Sequence, residues 1–176
     1  MTADREQQLS RRAARGDRRA LHALYEEYSG QLFAVAYRLT ESSADARDVM
    51  HGVLADLPEM FRRFDGKRPL GPWLRSVTVH TALRHVRSER RRQEIAMAAA
   101  PDEEEVIASP ESRILDSIAL ERALTSLEEG LRRVVVLKEL EGYSHREIAE
   151  LLQIERATSE GRLYMARKQL RARLSE

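Results

Sequence analysis

Apolar side chains recur every three to four residues along most of the chain, and no stretch of useful length alternates with the period of two that marks a strand. Over residues 18–40 the recurring positions are Leu21, Leu24, Tyr25, Tyr28, Leu32, Val35, Ala36 and Leu39, which predicts a helix with Ser29-Gly30 as a bend or an interruption. Ser42-Ser43 cap a second helix over about 44–64, with Ala46, Val49, Met50, Val53, Leu54, Leu57 and Phe61 inward. Pro58 predicts a kink or an irregular last turn there, because its ring crowds the preceding turn and it has no N–H to donate. After the loop 65–71, Pro72 opens a third helix that runs to about Arg92, with Trp73, Leu74, Val77, Thr81 and Val86 inward. Residues 1–17 are polar and either fray or extend the first helix.

The texture changes at 93–110, QEIAMAAAPDEEEVIASP, where alanines give way to prolines and four consecutive acids. This reads as a linker, although its first half also suits a prolonged preceding helix. Beyond it one helix covers roughly 111–125, and Ser126 with Glu129 predicts a capping box for a helix ending near Glu141. Gly142 stops that helix. Ser144 and Glu147 then form an S-x-x-E capping box for a short helix with Ile148, Ala149, Leu151 and Leu152 as its apolar positions. A break at 153–155 leads into a longer helix from about Arg156 to Leu174, striped by Leu163, Ala166 and Leu170 and carrying Arg162, Arg167, Lys168, Arg171 and Arg173 elsewhere. A short helix, a tight turn and a basic second helix describe a helix-turn-helix, whose second helix enters the DNA major groove. The same residues also describe a plain αα-hairpin whose cations complement the helix dipole. The expected fold is all-α: two small helical domains, 1–92 and 111–176, joined by the acidic linker 93–110.

Charge alters this picture once it is divided along the chain. Residues 1–92 hold 18 basic and 12 acidic side chains, 93–110 none and five, and 111–176 twelve of each. The basic excess therefore lies in the first unit rather than in the helix-turn-helix. The chain has no cysteine, which excludes a disulfide framework and a thiolate metal site. No apolar run reaches the length of a membrane span, so a cytoplasmic protein without membrane insertion is expected. The five histidines (His22, His51, His80, His85, His145) are scattered, and the acids lack a matching nucleophile. Neither a catalytic centre, a metal site nor a cofactor is expected.

Several segments taken in order carry a resemblance to a known family: DARDVMHGVL (45–54), FDGKRPLGPWLRSV (64–77), RHVRSERRR (84–92), SLEEGLRRVVVLKELEGYSHREIAELL (126–152) and ATSEGRLYMARKQLR (157–171). Their order and spacing, with the acidic linker between, resemble an extracytoplasmic-function (ECF) sigma factor of bacterial RNA polymerase in its two-domain form. The resemblance implies core RNA polymerase, promoter DNA and an anti-sigma factor as partners. Asp45, Asp48, Val49, His51 and Gly52 would face the clamp helices of the polymerase β′ subunit, and the second unit would rest on the β flap. Arg62, Arg63, Phe64, Lys67, Arg68, Arg75, His80, Arg84, Arg87 and Arg91 would open and hold the minus-ten element. Arg156, Thr158, Ser159, Glu160, Arg162, Tyr164, Arg167 and Lys168 would read the minus-thirty-five element.

Physical chemistry supports part of this assignment. Cations beside aromatics suit a single strand, since bases stack on rings while cations follow the backbone. Trp73, four residues before Val77, fits a core position better; Phe64, beside the loop, fits either role. The chain also departs from the family pattern. His51-Gly52 stands where Gln-Glu is usual, and His80 and Arg84 where Asn and Asp are usual. Glu160, Gly161 and Met165 stand where the recognition helix usually has a cation, a hydroxyl and a cation. Each lost phosphate contact weakens salt-dependent affinity, although an acid can still accept from a cytosine amino group. The expected function is an alternative sigma factor without catalytic activity of its own. Two other readings remain: a degenerate sigma-like adaptor with weak promoter recognition, and a helix-turn-helix repressor acting without polymerase.

Overall fold

The structure, a computed structural model, describes residues 3–64, 69–99 and 118–174. Every regular element among the described residues is helical. Helix α1 spans Ala3–Ala14, α2 Arg18–Thr40, α3 Ser43–Arg63 and α4 Leu70–Ala99. In the second half α5 spans Ile118–Thr125, and α6, Glu129–Val135, runs into a π-helical segment, Val136–Leu140. Helices α7, His145–Leu152, and α8, Arg156–Leu174, complete the chain.

The polar N-terminus neither frays nor extends the first long helix: it forms α1, which folds back on α2 and α3. Gly16 adopts φ +82°, a left-handed conformation that glycine takes without steric cost, and this reverses the chain. Asp17 then caps α2, its Oδ1 accepting from Arg19 N at 2.9 Å and Ala20 N at 3.2 Å. Arg12 grips the other oxygen at 2.8 Å. These hydrogen bonds, that to Arg12 foremost, hold the Asp17 carboxyl below its ordinary range. Glu6 fixes the reversed helix in place. One carboxylate oxygen accepts from Tyr28 Oη at 2.7 Å, and the other from Leu70 N at 2.8 Å, one of the donors that a helix start leaves unpaired.

The long helices follow their periodicity, with differences at their ends. Helix α2 is not interrupted at Ser29-Gly30, and α3 runs through Pro58 to Arg63, where its last turn tightens with Phe64 N donating to Phe61 O at 3.4 Å. Helix α4 begins at Leu70, which puts Pro72 third, still within the turn where an N–H is dispensable. It also continues seven residues past Arg92, so the first part of the expected linker is helix. The capping box expected at Ser126 and Glu129 does not form: Ser126 Oγ instead donates to Ala123 O at 2.6 Å and closes α5.

Two apolar clusters hold the molecule together. One is lined by α1, α2, α3 and the start of α4, with Leu24, Leu57, Phe61, Leu70 and Leu74 at its centre. The other is shared between the halves of the chain. It joins Val35, Leu39, Val49, Val79 and Leu83 to Leu124, Val134, Leu137, Ile148 and Leu163. The second half therefore does not bury a core wholly its own; it packs on α2 and α4. Gly71 allows the closest approach at this end, since a Cβ there would lie 3.1 Å from Tyr28 Cε1.

Gly52 has no such reason. A Cβ added there meets only Thr81 Cγ2 at 3.9 Å, an ordinary contact. Gly52→Ala is accordingly expected to stabilise the fold by about 1 kcal/mol, the difference between glycine and alanine inside a helix. The midpoint of urea unfolding checks this.

Candidate nucleic-acid interface

Along α4 the exposed residues His80, Arg84, Arg87 and Arg91 follow one another at intervals of four, three and four. That spacing puts all four on one face of the helix. Arg87 Nε donates to Leu83 O at 3.2 Å. The neighbouring cations are engaged: Arg90 pairs with Glu94 at 3.2 Å and Arg92 with Glu89 at 2.6 Å. At the other end of α4, Phe61, Phe64 and Trp73 form one aromatic group. Phe64 lies 4.6 Å from Trp73 and 6.5 Å from Phe61, centroid to centroid. Both Phe64 and Trp73 are half-buried, so each contributes to packing and keeps part of its ring at the surface. Arg62 is exposed and paired with Glu59 at 3.1 Å. Arg63 ends α3; Lys67 and Arg68 lie outside the described residues.

The set expected on the clamp-facing helix divides. Asp48 and His51 are exposed on α3. Asp45 is half-buried and its Oδ1 lies 3.1 Å from His85 Nε2, so it ties α3 to α4. Gly52 lies against Thr81. Val49 is 1% exposed and belongs to the core, which removes it from any surface role.

The second half folds as a helix-turn-helix. The Ser144 capping box is complete: Ser144 N donates to Glu147 Oε2 at 2.8 Å, and Glu147 N to Ser144 Oγ at 3.3 Å. The Ser144 hydroxyl, which donates to Glu147 Oε2 at 2.6 Å, and after it the Ser144 N–H hold the Glu147 carboxyl below its ordinary range. Before the motif, the π-helical segment ends with Glu141 N donating to Val136 O and Tyr143 N to Leu137 O, with Gly142 between them at φ +78°. The turn after α7 uses Gln153 at φ 55°, and Ile154 N donates back to Ala149 O at 3.0 Å.

Of the eight residues expected to read DNA on α8, six are exposed: Arg156, Thr158, Glu160, Tyr164, Arg167 and Lys168. Arg156 Nε is bonded to Glu160 Oε1 at 2.8 Å, so the first cation of the helix is neutralised by the acid one turn on. Ser159 is fully buried, its hydroxyl 2.9 Å from His145 Nδ1, which removes it from the DNA face. Arg162 is half-buried with its guanidinium laid over Gly130 of α6. Arg167 Nη2 donates to Glu139 at 2.6 Å. Two residues gain importance: Met165 is 47% exposed and Tyr164 70%, which makes the outward surface of α8 more apolar than its arginine content implied.

Where the halves meet, polar groups cross between them. Arg38 Nε donates to Glu121 Oε1 at 2.8 Å. Arg132, 2% exposed, pairs with Glu41 and donates to Leu127 O at 3.0 Å. Burial pulls the Arg132 guanidinium below the usual arginine value, and Glu41 opposes that pull. Arg133 Nε donates to Leu39 O at 3.4 Å, and Tyr143 Oη to Ser76 Oγ at 3.2 Å. Glu141 is nearly buried, with Arg75 Nε 3.8 Å from its carboxylate. Burial pushes the Glu141 carboxyl up, against the pull of Arg75 and Arg38. A groove of about 400 Å³ runs between α4 and α7, with Leu83, Val86, Leu151 and Leu152 as its apolar wall. Arg87, Arg90, Arg91, Arg133, Glu94 and Gln153 complete its lining, four arginines to one acid. No group of acids and histidines among the described residues has the arrangement of a metal site, and none of the described helices is long and apolar enough to cross a membrane.

Comparison with known proteins agrees with this geometry. Residues 24–92 match the family model of sigma-70 region 2, and residues 117–170 that of sigma-70, region 4. The RNA polymerase sigma-H factor of Pseudomonas aeruginosa is 28% identical, over 96% of this chain and 93% of its own length. An ECF RNA polymerase sigma factor of Mycolicibacterium smegmatis, SigE, is 30% identical over 93% of this chain and 66% of its own length. Among solved structures, CnrH in complex with the cytosolic domain of CnrY is 26% identical with a TM-score of 0.52, covering 99% of this chain and 98% of CnrH. The sigma factor RpoE in complex with the anti-sigma factor NepR from Bartonella quintana shares the fold. Its TM-score is 0.56 at 21% identity, over 88% of this chain and 96% of that one.

Proposed function

The chain belongs to the sigma-70 family, in its ECF group of alternative sigma factors, and on that premise we propose how its two halves divide the work. The unit over 1–92 binds the polymerase clamp through α3 and holds the minus-ten element along α4. The unit over 111–176 rests on the β flap and places α8 in the major groove of the minus-thirty-five element. The observation that carries this division is the His80–Arg84–Arg87–Arg91 stripe along α4, with the half-open Phe64 and Trp73 rings at the start of the same helix. Basic residues in line with half-open aromatic rings suit a separated strand. On the exposed surface of α8 Arg156 is paired with Glu160 and Arg167 with Glu139, so two of its cations are already engaged and its hold on duplex DNA is the weaker of the two. The chemistry belongs to the polymerase; the sigma factor supplies recognition and acts in the cytoplasm.

An anti-sigma factor is the natural antagonist. The groove between α4 and α7 suits an amphipathic segment with an apolar stripe and acidic flanks, since its wall is apolar and the rest of its lining is mainly arginine. The adaptor reading keeps one specific support, the Arg156–Glu160 pair on the recognition helix.

Reconstituted holoenzyme tests the function. Run-off transcription from the region upstream of the protein's own gene is expected. Binding to core polymerase without initiation would favour the adaptor, and no complex with core would overturn the sigma reading. Within this test Asp48 is decisive, because of the two acids expected at the clamp it is the exposed one, while Asp45 is half-buried and held by His85. Asp48→Arg is expected to weaken core binding at least tenfold, about 1.4 kcal/mol, the range for reversing one charge in a complementary interface. Titration against fluorescently labelled core measures it.

A further inference from the structure

We propose that α8 selects its DNA by the C5-methyl groups of thymines, which Ala157, Gly161 and Met165 meet in the major groove. The inference rests on the proposed placement of α8 at the minus-thirty-five element and names the base feature that the helix reads. The inward side of α8 is fixed by Ser159, Leu163 and Ala166, buried at intervals of four and three. Ala157, Gly161, Tyr164 and Lys168 recur at intervals of four, three and four on the opposite side, and all are exposed. Met165, 47% exposed, lies one turn beyond Gly161. In a helix-turn-helix the N-terminal residues of the second helix meet the base edges. Here that part of the outward face offers a methyl group, bare backbone and a thioether, with the Tyr164 ring on its flank. A Cβ at Gly161 would meet nothing within 4 Å, so packing does not require glycine there. The missing side chain leaves a shallow place on the helix where the edge of a base pair can come close.

The same face is poorly supplied for readout by hydrogen bonds. Guanine is read by the fork of an arginine or by a lysine, adenine by asparagine or glutamine, and cytosine by an acid. The first three turns of α8 carry no asparagine or glutamine. Each arginine near the bases has a place already: Arg156 on Glu160 at 2.8 Å, Arg162 against Gly130, and Arg167 on Glu139 at 2.6 Å. The first of these contacts also occupies Glu160, the acceptor suited to a cytosine amino group. Lys168 stands beyond the third turn, past the residues that reach base edges. What remains at the bases is apolar contact, and the apolar group on a major-groove edge is the methyl of thymine. The thioether of Met165 suits that role, since its unbranched chain adapts to small apolar partners.

Deoxyuridine tests this, because it keeps the pairing edge and the O4 acceptor of thymine and lacks the methyl. Reconstituted holoenzyme first selects its preferred sequences from a library of random duplexes. The selected duplex is then remade with deoxyuridine at single thymines of its upstream element, and affinity is read by competition. Each contacted thymine is expected to lose about fourfold in affinity on this change, the worth of one methyl group taken out of water. Met165→Ala is expected to shrink one of those steps to below about twofold, as a double-mutant cycle reads for partners in contact. The salt slope should stay, since no phosphate contact is lost. Met165→Leu, apolar and of similar volume, should keep the step, which a general disturbance of the helix would not allow. An upstream element without thymines, or uracil duplexes that bind as tightly as thymine ones, overturns the methyl readout and leaves α8 in the groove. A uracil penalty that Met165→Ala leaves whole at every position overturns the assignment to this face. Holoenzyme that selects no upstream element overturns the proposed placement of α8, and the readout with it.

Discussion

Glu160→Arg is expected to tighten binding of the helix-turn-helix to duplex DNA about tenfold and to steepen the salt dependence of log K by nearly two units. The doubled effect follows from the 2.8 Å bond between Arg156 Nε and Glu160 Oε1. Both side chains are open to water, at 72% and 47% exposure, so in free solution the pair contributes little to stability. Beside a phosphate backbone it matters more, because the acid cancels the first cation of α8 and adds repulsion of its own. The substitution adds one cation and releases another. Each phosphate neutralised contributes about 0.9 to the slope, so two give about 1.8. Anisotropy titrations of a labelled non-specific duplex over a salt series measure slope and affinity together. A slope that does not change would place Glu160 away from the backbone.

The second large effect concerns stability. Glu41→Gln keeps the shape of the side chain and removes the charge that faces the buried Arg132. An uncompensated buried guanidinium is expected to cost on the order of 3 kcal/mol. Its hydrogen bond to Leu127 O offsets only part of the lost solvation. The loss has an upper bound, because Arg132 regains water if α6 lifts from α2; it cannot exceed the free energy of parting the two halves. Two-probe urea denaturation separates the cases. An early transition in the second half alone signals parting, and one shared, lowered midpoint signals loss across the whole molecule.

Local signals were read with most success where one helix buries one face. On α3, Ala46, Val49, Met50, Val53, Leu57 and Phe61 are all buried, as the 3.6-residue period requires. The Ser144–Glu147 box formed for the same reason, since its partners are three residues apart. On α4 the expected inward set, Trp73, Leu74, Val77, Thr81 and Val86, was too narrow: Leu74 is buried and Trp73 and Val77 pack on the cores half-buried, but Leu70, Thr78, Val79, Ala82 and Leu83 are buried as well. That helix is packed by α2 and α3 and also by the second half, so its buried surface is wider than one stripe. Helix α1 escaped notice because its buried side consists of little more than Leu9, Ser10 and Ala13. Its attachment depends on the Glu6 carboxylate, whose acceptance from Leu70 N spans 64 residues.

By itself the sequence determined an all-helical chain, the turns at Gly142 and 153–155, the family, and the excess of positive charge in the first half. Each of these depends on residue type and on neighbours within a turn or two, where periodicity, capping and left-handed glycine geometry act. The tertiary structure alone decided which charges are free to meet DNA. Arg38 meets Glu121 across 83 residues, and Arg133 meets Leu39 across 94. Ser159 turned inward to His145, while Arg162 and Arg167 lie against α6 and the π-helical segment. A charge is neutralised by what lies within a few ångströms of it, and for these side chains the fold, not the order of residues, sets that distance.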